Sequence, residues 1–155
     1  PVYLRFGRPS VPNFTTNDLG FKIGKGILLK PGKDVTIVAT GHLVWESLEA
    51  AKELEKQNID AEVINIHTIK PLDNEIILQS VKKTGCLVSA EEHNYLGGLG
   101  ESISRIIVKN HPCPMEFVAT QDTFGESGTP SQLMKKYGLD KEAIIRKVLI
   151  LKNRK

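Results

Sequence analysis

The chain has little cysteine. Its two residues, Cys86 and Cys113, stand far apart with no metal-ligand or redox spacing, which removes a disulfide framework and a cysteine-based zinc site. Cys86 opens the apolar run to Ala90, where a small buried hydrophobe needs no chemical role. Long hydrophobic runs are missing as well: no stretch approaches the roughly 20 apolar residues that cross a bilayer, and no signal-peptide pattern opens the chain. Because the first residue is Pro1 and not methionine, targeting information further upstream stays open. Charge of one sign is not in excess. A net charge of +3 is too small to imply nucleic acid, and Lys and Arg are scattered except in the tail Lys152-Asn153-Arg154-Lys155, which reads as a solvated end. Internal repeats and low-complexity segments are absent.

What remains is an ordinary globular composition, 40% hydrophobic and 25% charged over 155 residues. That length suits one domain able to bury about two-thirds of its unfolded surface. Val2-Tyr3-Leu4-Arg5-Phe6 alternates like a strand with one buried face, and Pro9 and Pro12 end it. A polar segment to about Phe21 then reads as a linker, so the first strand is expected to belong to another structural unit. Ile27-Leu28-Leu29 and Val35 to Ala39 flank Pro31-Gly32-Lys33-Asp34, which predicts a hairpin and one antiparallel edge. From Leu43 onward, helical and strand patterns alternate. Leu43, Val44, Leu48, Ala51 and Leu54 form a helix stripe with Asn58 as its carboxyl cap. Strands follow at Ala61–Ile66, Cys86–Ala90 and Met115–Ala119. Between them run a helix capped by Asp73 and ended by Gly85, and one opening near Gly98 and stopped by Pro112. Thr129-Pro130 starts a short helix that Gly138 ends, and Asp140 caps the last one. Helical connections of this length join parallel strands. The expected fold is a three-layer α/β sandwich, mostly parallel with one antiparallel edge strand and helices on both faces.

In an open parallel sheet, ligands and partner domains are met at the carboxyl ends of the strands. His42, His67 and His93 each fall just past a strand, with Glu91, Glu92 and Asp122 at the same edge, a donor set that would suit zinc or manganese. None of the histidines has ligand-type local spacing, and ordinary loop residues are the simpler reading. Gly97-Gly98-Leu99-Gly100 opens a helix whose amides could hold a phosphate. However, it is not the G-x-G-x-x-G fingerprint, and close backbone packing explains the glycines as well. Asp73 has a helix cap as its simplest role. Ser127, between Glu126 and Gly128, does not stand in a G-x-S-x-G elbow. Trp45 on the first long helix suits core or interface. Arg8, just past the first strand and held by Pro9 and Pro12, is either a solvated arginine or a planar fork for phosphate.

Thr68-Ile69-Lys70-Pro71-Leu72-Asp73, Glu91-Glu92-His93-Asn94-Tyr95-Leu96-Gly97-Gly98-Leu99-Gly100, Phe124 to Pro130 and Tyr137-Gly138-Leu139-Asp140 together resemble the carboxyl-terminal domain of transketolase and its thiamine-diphosphate relatives, from about Pro1 to Val148. The resemblance implies three parts: 1–12 as the remnant of a preceding pyrimidine-binding domain, 13–21 as a linker, and 22–155 as the carboxyl-terminal domain. It also implies that Arg8, four residues before Pro12, contacts the phosphate of a sugar-phosphate substrate. Arg5 does not align with that position. The parent enzyme would transfer a two-carbon ketol unit using thiamine diphosphate and a divalent metal such as magnesium. Their Gly-Asp-Gly motif, a later asparagine and an activating glutamate are expected upstream, in other domains or in an N-terminal subunit. This portion is then expected to bind no cofactor and to be inactive alone. A cytoplasmic homo-oligomer, a dimer in the pentose phosphate pathway, follows from the same resemblance. The equivalent domain of deoxyxylulose-phosphate synthase or of a 2-oxoacid dehydrogenase β subunit, and a non-catalytic interaction module, are the alternatives.

Overall fold

A computed structural model describes residues 1–7 and 10–154. Five strands, β1 (Ile27–Lys30), β2 (Val35–Ala39), β3 (Ala61–Asn65), β4 (Leu87–Asn94) and β5 (Met115–Thr120), form one sheet in the order β1-β3-β2-β4-β5. All neighbours run parallel except β1, which lies antiparallel to β3 at one edge. Helices α1 (Leu43–Glu55) and α5 (Lys141–Lys152) cover one face, and α2 (Asn74–Thr84) and α3 (Leu99–Asn110) cover the other. The short α4 (Pro130–Lys136) follows the loop leaving β5.

The alternation within strands builds the two cores. On β2, Val35, Ile37 and Ala39 face α1 and α5, while Val38 joins Ile64, Ile77 and Ile103 beneath α2 and α3. Each fully buried residue of the size of Ile37 or Ile64 contributes about 1.5–3 kcal/mol by leaving water. The polar partner on the second face is Thr36. Its Oγ1 lies 2.5 Å from Ser80 Oγ and 2.7 Å from Thr84 Oγ1, and Ser80 in turn donates to the buried Glu62 of β3. Glu62 also accepts from the Gly32 amide and pairs with Lys83, so a buried carboxylate is fully partnered.

Helix ends follow local chemistry. Gly85 (φ 73°) terminates α2, Asn58 takes φ 59° just beyond α1, and the Asp140 carboxylate accepts from Ala143 N at 2.9 Å at the start of α5. Gln132 Oε1 accepts from both the amide and the hydroxyl of Thr129 at the start of α4.

The structure corrects three expectations. First, β1 and β2 do not form a hairpin, because β3 lies between them. The connection wraps over the start of β3 instead of turning tightly: Lys33 N and Asp34 N donate to Asp60 O at 3.0 and 2.9 Å, and Asp34 Oδ2 accepts from Asp60 N. Second, the Asp73 side chain does not cap α2. It is buried and accepts from Gly26 N at 3.0 Å, tying the entry of β1 to the sheet edge. Third, Val2–Phe6 is not a strand. Val2, Tyr3, Leu4 and Phe6 are each more than 70% exposed, since an alternating segment needs a neighbouring sheet to bury its apolar side.

Candidate functional site

The carboxyl ends of the parallel strands carry the sequence's polar residues to one edge. Glu91, near the end of β4, is 3% exposed and turns its carboxylate onto the first turn of α3. Oε2 accepts from Leu99 N at 2.7 Å and Oε1 from Gly100 N at 2.8 Å. A Cβ at residue 98 would lie 2.5 Å from Oε2, so the glycine there makes the space for the carboxylate. A negative charge at a helix start is favoured by the aligned peptide dipoles. Of the amides at Gly97–Gly100 that could have held a phosphate, those of Leu99 and Gly100 are taken by Glu91 and that of Gly97 by Glu101.

The three histidines part company. His42, at the start of α1, places Nδ1 2.9 Å from Glu92 Oε2. His93 Nδ1 donates to Asn94 O at 2.8 Å. Both line an open cavity of about 580 Å³ together with Trp45, Glu46, Glu92 and Tyr137. His67 stands apart from it. Its ring packs 4.4 Å from Phe21, Nδ1 meets Thr68 Oγ1 at 2.9 Å, and the buried Nε2 has no hydrogen-bond partner. Burial pushes its pKa below the usual histidine range. The sequence-level cluster of three imidazoles is therefore a pair and an outlier, and among the described residues no three His, Cys, Asp or Glu side chains converge to hold a metal.

The rest of the edge is held by local pairs. Glu46 Oε2 accepts from Lys141 N at 2.9 Å, and burial raises its pKa above the usual carboxylate range despite that bond. Asn94 joins Asp122 at 2.8 Å and caps Leu96 N with its Oδ1. Asp122, with φ 52°, is thereby a turn residue. Ser127 lies in an exposed loop beside Glu126, which pairs with Lys136. His42 with Glu92 is an imidazole–carboxylate pair on this edge, and among the described residues no hydrogen-bonded nucleophile completes it. The edge offers a polar, aromatic-rimmed face instead. Phe124 is 97% exposed on it, its carbonyl held by Tyr137 Oη at 3.1 Å. Exposed apolar groups rimmed by polar ones mark docking surfaces.

Sequence reasoning found the edge but missed two of its parts: Glu91 as the partner of α3, and the contact of Phe14 with Trp45, whose rings lie 6.1 Å apart. A carboxylate eight positions before a glycine-rich helix start was the available signal for the first. Arg8, the residue singled out for substrate, lies outside the described residues. No helix among the described residues is long and apolar enough to cross a membrane.

Residues 24–144 match the model of the family described as transketolase, C-terminal domain. The chain is 46% identical over 147 residues to a 6-deoxy-6-sulfo-D-fructose transketolase subunit of Clostridium sp. (strain MSTE9), covering 94% of this chain and 45% of that protein. It is 35% identical to an apulose-4-phosphate transketolase subunit of Phocaeicola vulgatus, covering 96% and 48%. The chain thus spans a little under half the length of these relatives. Among solved structures, a split-gene transketolase described as an inactive β4 tetramer superimposes with a TM-score of 0.90 at 42% identity, over 94% of this chain and 48% of that one. The family match and the superposition agree, and the chain belongs to the transketolase C-terminal domain family.

Proposed function

We propose that this chain is the carboxyl-terminal part of a transketolase that moves a two-carbon ketol unit between sugar phosphates, and that it contributes docking surface and one substrate contact. The observation that carries this reading is the family match over 24–144 together with relatives that are themselves transketolase subunits. Thiamine diphosphate, which supplies the electron sink for the transferred carbanion, does not fit the residues present. The glycine-rich helix start suited to a diphosphate is engaged by Glu91, which accepts the Leu99 and Gly100 amides. The cofactor and its magnesium belong to upstream domains or an N-terminal subunit, and this part alone is inactive.

In this reading, residues 1–12 are the end of the pyrimidine-binding domain, 13–21 the linker and 22–155 the carboxyl-terminal domain. The exposed Val2, Tyr3, Leu4 and Phe6 support that division, since their apolar sides suit a sheet supplied by the preceding domain. The assembled enzyme is a cytoplasmic homo-oligomer. Arg8 holds the phosphate of the sugar-phosphate substrate as a charged, bidentate donor.

The test is Arg8→Ala in the enzyme reconstituted with the cofactor-binding domains. Losing a buried charged contact costs about 2–4 kcal/mol of transition-state binding. Phosphorylated acceptors should lose kcat/KM by roughly a hundredfold, while a non-phosphorylated aldehyde keeps most of its rate. Equal losses on the two acceptors would show that Arg8 serves the fold or an interface.

A further inference from the structure

The loop from Gln121 to Thr129 is exposed along its whole length, and hydrogen bonds hold it where burial does not. At its start Asp122, with φ 52°, accepts from Asn94 Nδ2 at 2.8 Å. In its middle Tyr137 Oη donates to the Phe124 carbonyl at 3.1 Å, and Glu126 pairs with Lys136. At its end the amide and hydroxyl of Thr129 both donate to Gln132 Oε1. Tyr137 itself packs against the core beneath α1 and α5, so the tie to Phe124 reaches the body of the domain. The group that this fixed loop presents is the Phe124 ring, 97% exposed. The cavity beside it is lined by Trp45 and Met134, by Gly125 and Glu126 of the loop, and by Arg5 and Val11 of the amino-terminal segment. Leu4 and Phe6, on either side of Arg5, are exposed as well.

We infer that Phe124 is the anchor by which this domain docks on the pyrimidine-binding domain that ends in residues 1–12, its ring entering an apolar pocket of that domain. The inference rests on the reading of residues 1–12 given above. The path of those residues decides the occupant: Arg5 and Val11 run along the rim of the cavity beside Phe124, so the domain they complete meets this one at the same edge. The chain spans a little under half the length of its transketolase-subunit relatives, which leaves a part of similar size to be seated there. A lone exposed aromatic needs no explanation, but one carried on a loop already fixed on both sides loses little conformational entropy when a partner buries it. Aromatic anchors of this kind carry a large share of interface affinity, with the contacts around them excluding water.

Titration calorimetry of this chain against the cofactor-binding domains, prepared without the segment that residues 1–12 supply, reads the anchor. Phe124→Ala should raise Kd by about thirtyfold, the effect of truncating an interface hot spot, and Phe124→Leu should recover most of the affinity. Tyr137→Phe frees the loop carbonyl while keeping the aromatic packing, and should raise Kd by about three- to tenfold. Val108→Ala removes an exposed apolar group from a separate cleft along α3 and should leave Kd unchanged. The urea midpoint of Phe124→Ala alone should match that of the wild type, because the ring buries nothing in the domain itself. Equal Kd values for Phe124→Ala and the wild type would overturn the anchor and leave the proposed function standing. Absence of any association by the wild-type chain would instead overturn the docking role proposed above, and the anchor with it. A Phe124→Ala chain that binds those domains normally but loses self-association in sedimentation velocity would show that the ring seats on a second copy, which also overturns the inference.

Discussion

The Glu91 carboxylate occupies the space that a side chain at Gly98 would fill, and from there it accepts the amides of Leu99 and Gly100. A strand end and a helix start are joined by one buried charge. Glu91→Ala would leave two buried donors unpaired and should cost about 2–4 kcal/mol of unfolding free energy, measured by urea titration. Glu91→Gln should recover only part, since an amide oxygen accepts without the charge. A loss below about 0.5 kcal/mol for the alanine variant would show that water replaces the carboxylate.

Ser80 is the second pivot, standing between Glu62 and Thr36 on the opposite face of the sheet from α1. Ser80→Ala removes a partner from both, and should destabilise the chain by about 1–3 kcal/mol. The double variant with Thr36→Val should cost less than the sum of the two single losses, because the two hydroxyls belong to one network. Strict additivity in a thermal or urea double-mutant cycle would contradict a coupled network.

His67 gives the pH dependence a sign. Burial lowers its pKa in the folded chain below the ordinary value of 6.5, so between those two values the unfolded chain binds more protons. Stability contributed by neutral His67 is present above about pH 6.5 and is lost as pH falls through the lowered folded value. Unfolding midpoints followed from pH 7.5 to 5 should therefore fall more steeply in the wild type than in His67→Gln. Parallel profiles would show that His67 titrates alike in both states.

The alternation of strands and helices was legible because each segment bears its own period: β2 alternates between two cores, and α1 repeats at helical spacing. Strand order was less so. Pro31-Gly32-Lys33-Asp34 has the composition of a tight turn, and only the long-range bonds from its amides to Asp60 reveal that β3 lies beneath it. The same limit explains the two carboxylates. Asp73 stands where a cap should be yet bonds Gly26, far away in sequence, while Glu91 caps a helix from a strand. Local sequence states what a residue can bond and leaves open which partner tertiary packing brings. At the edge itself, His42, past the end of β2, and His93, which lies within the last residues of β4 and not past that strand as expected, line one cavity. His67 was diverted by Phe21, an aromatic whose position in the linker gave no hint of its contact.

The central claim is that this domain completes a transketolase whose cofactor is held elsewhere. Two-carbon transfer from a ketose phosphate to an aldose phosphate, assayed with thiamine diphosphate and magnesium, tests it most directly. The assay uses this chain alone, the cofactor-binding domains alone, and the two mixed. The account predicts no turnover by this chain alone and a rate in the mixture well above that of the cofactor-binding domains alone. Turnover by this chain by itself, or a mixture no faster than the cofactor-binding domains, would contradict it.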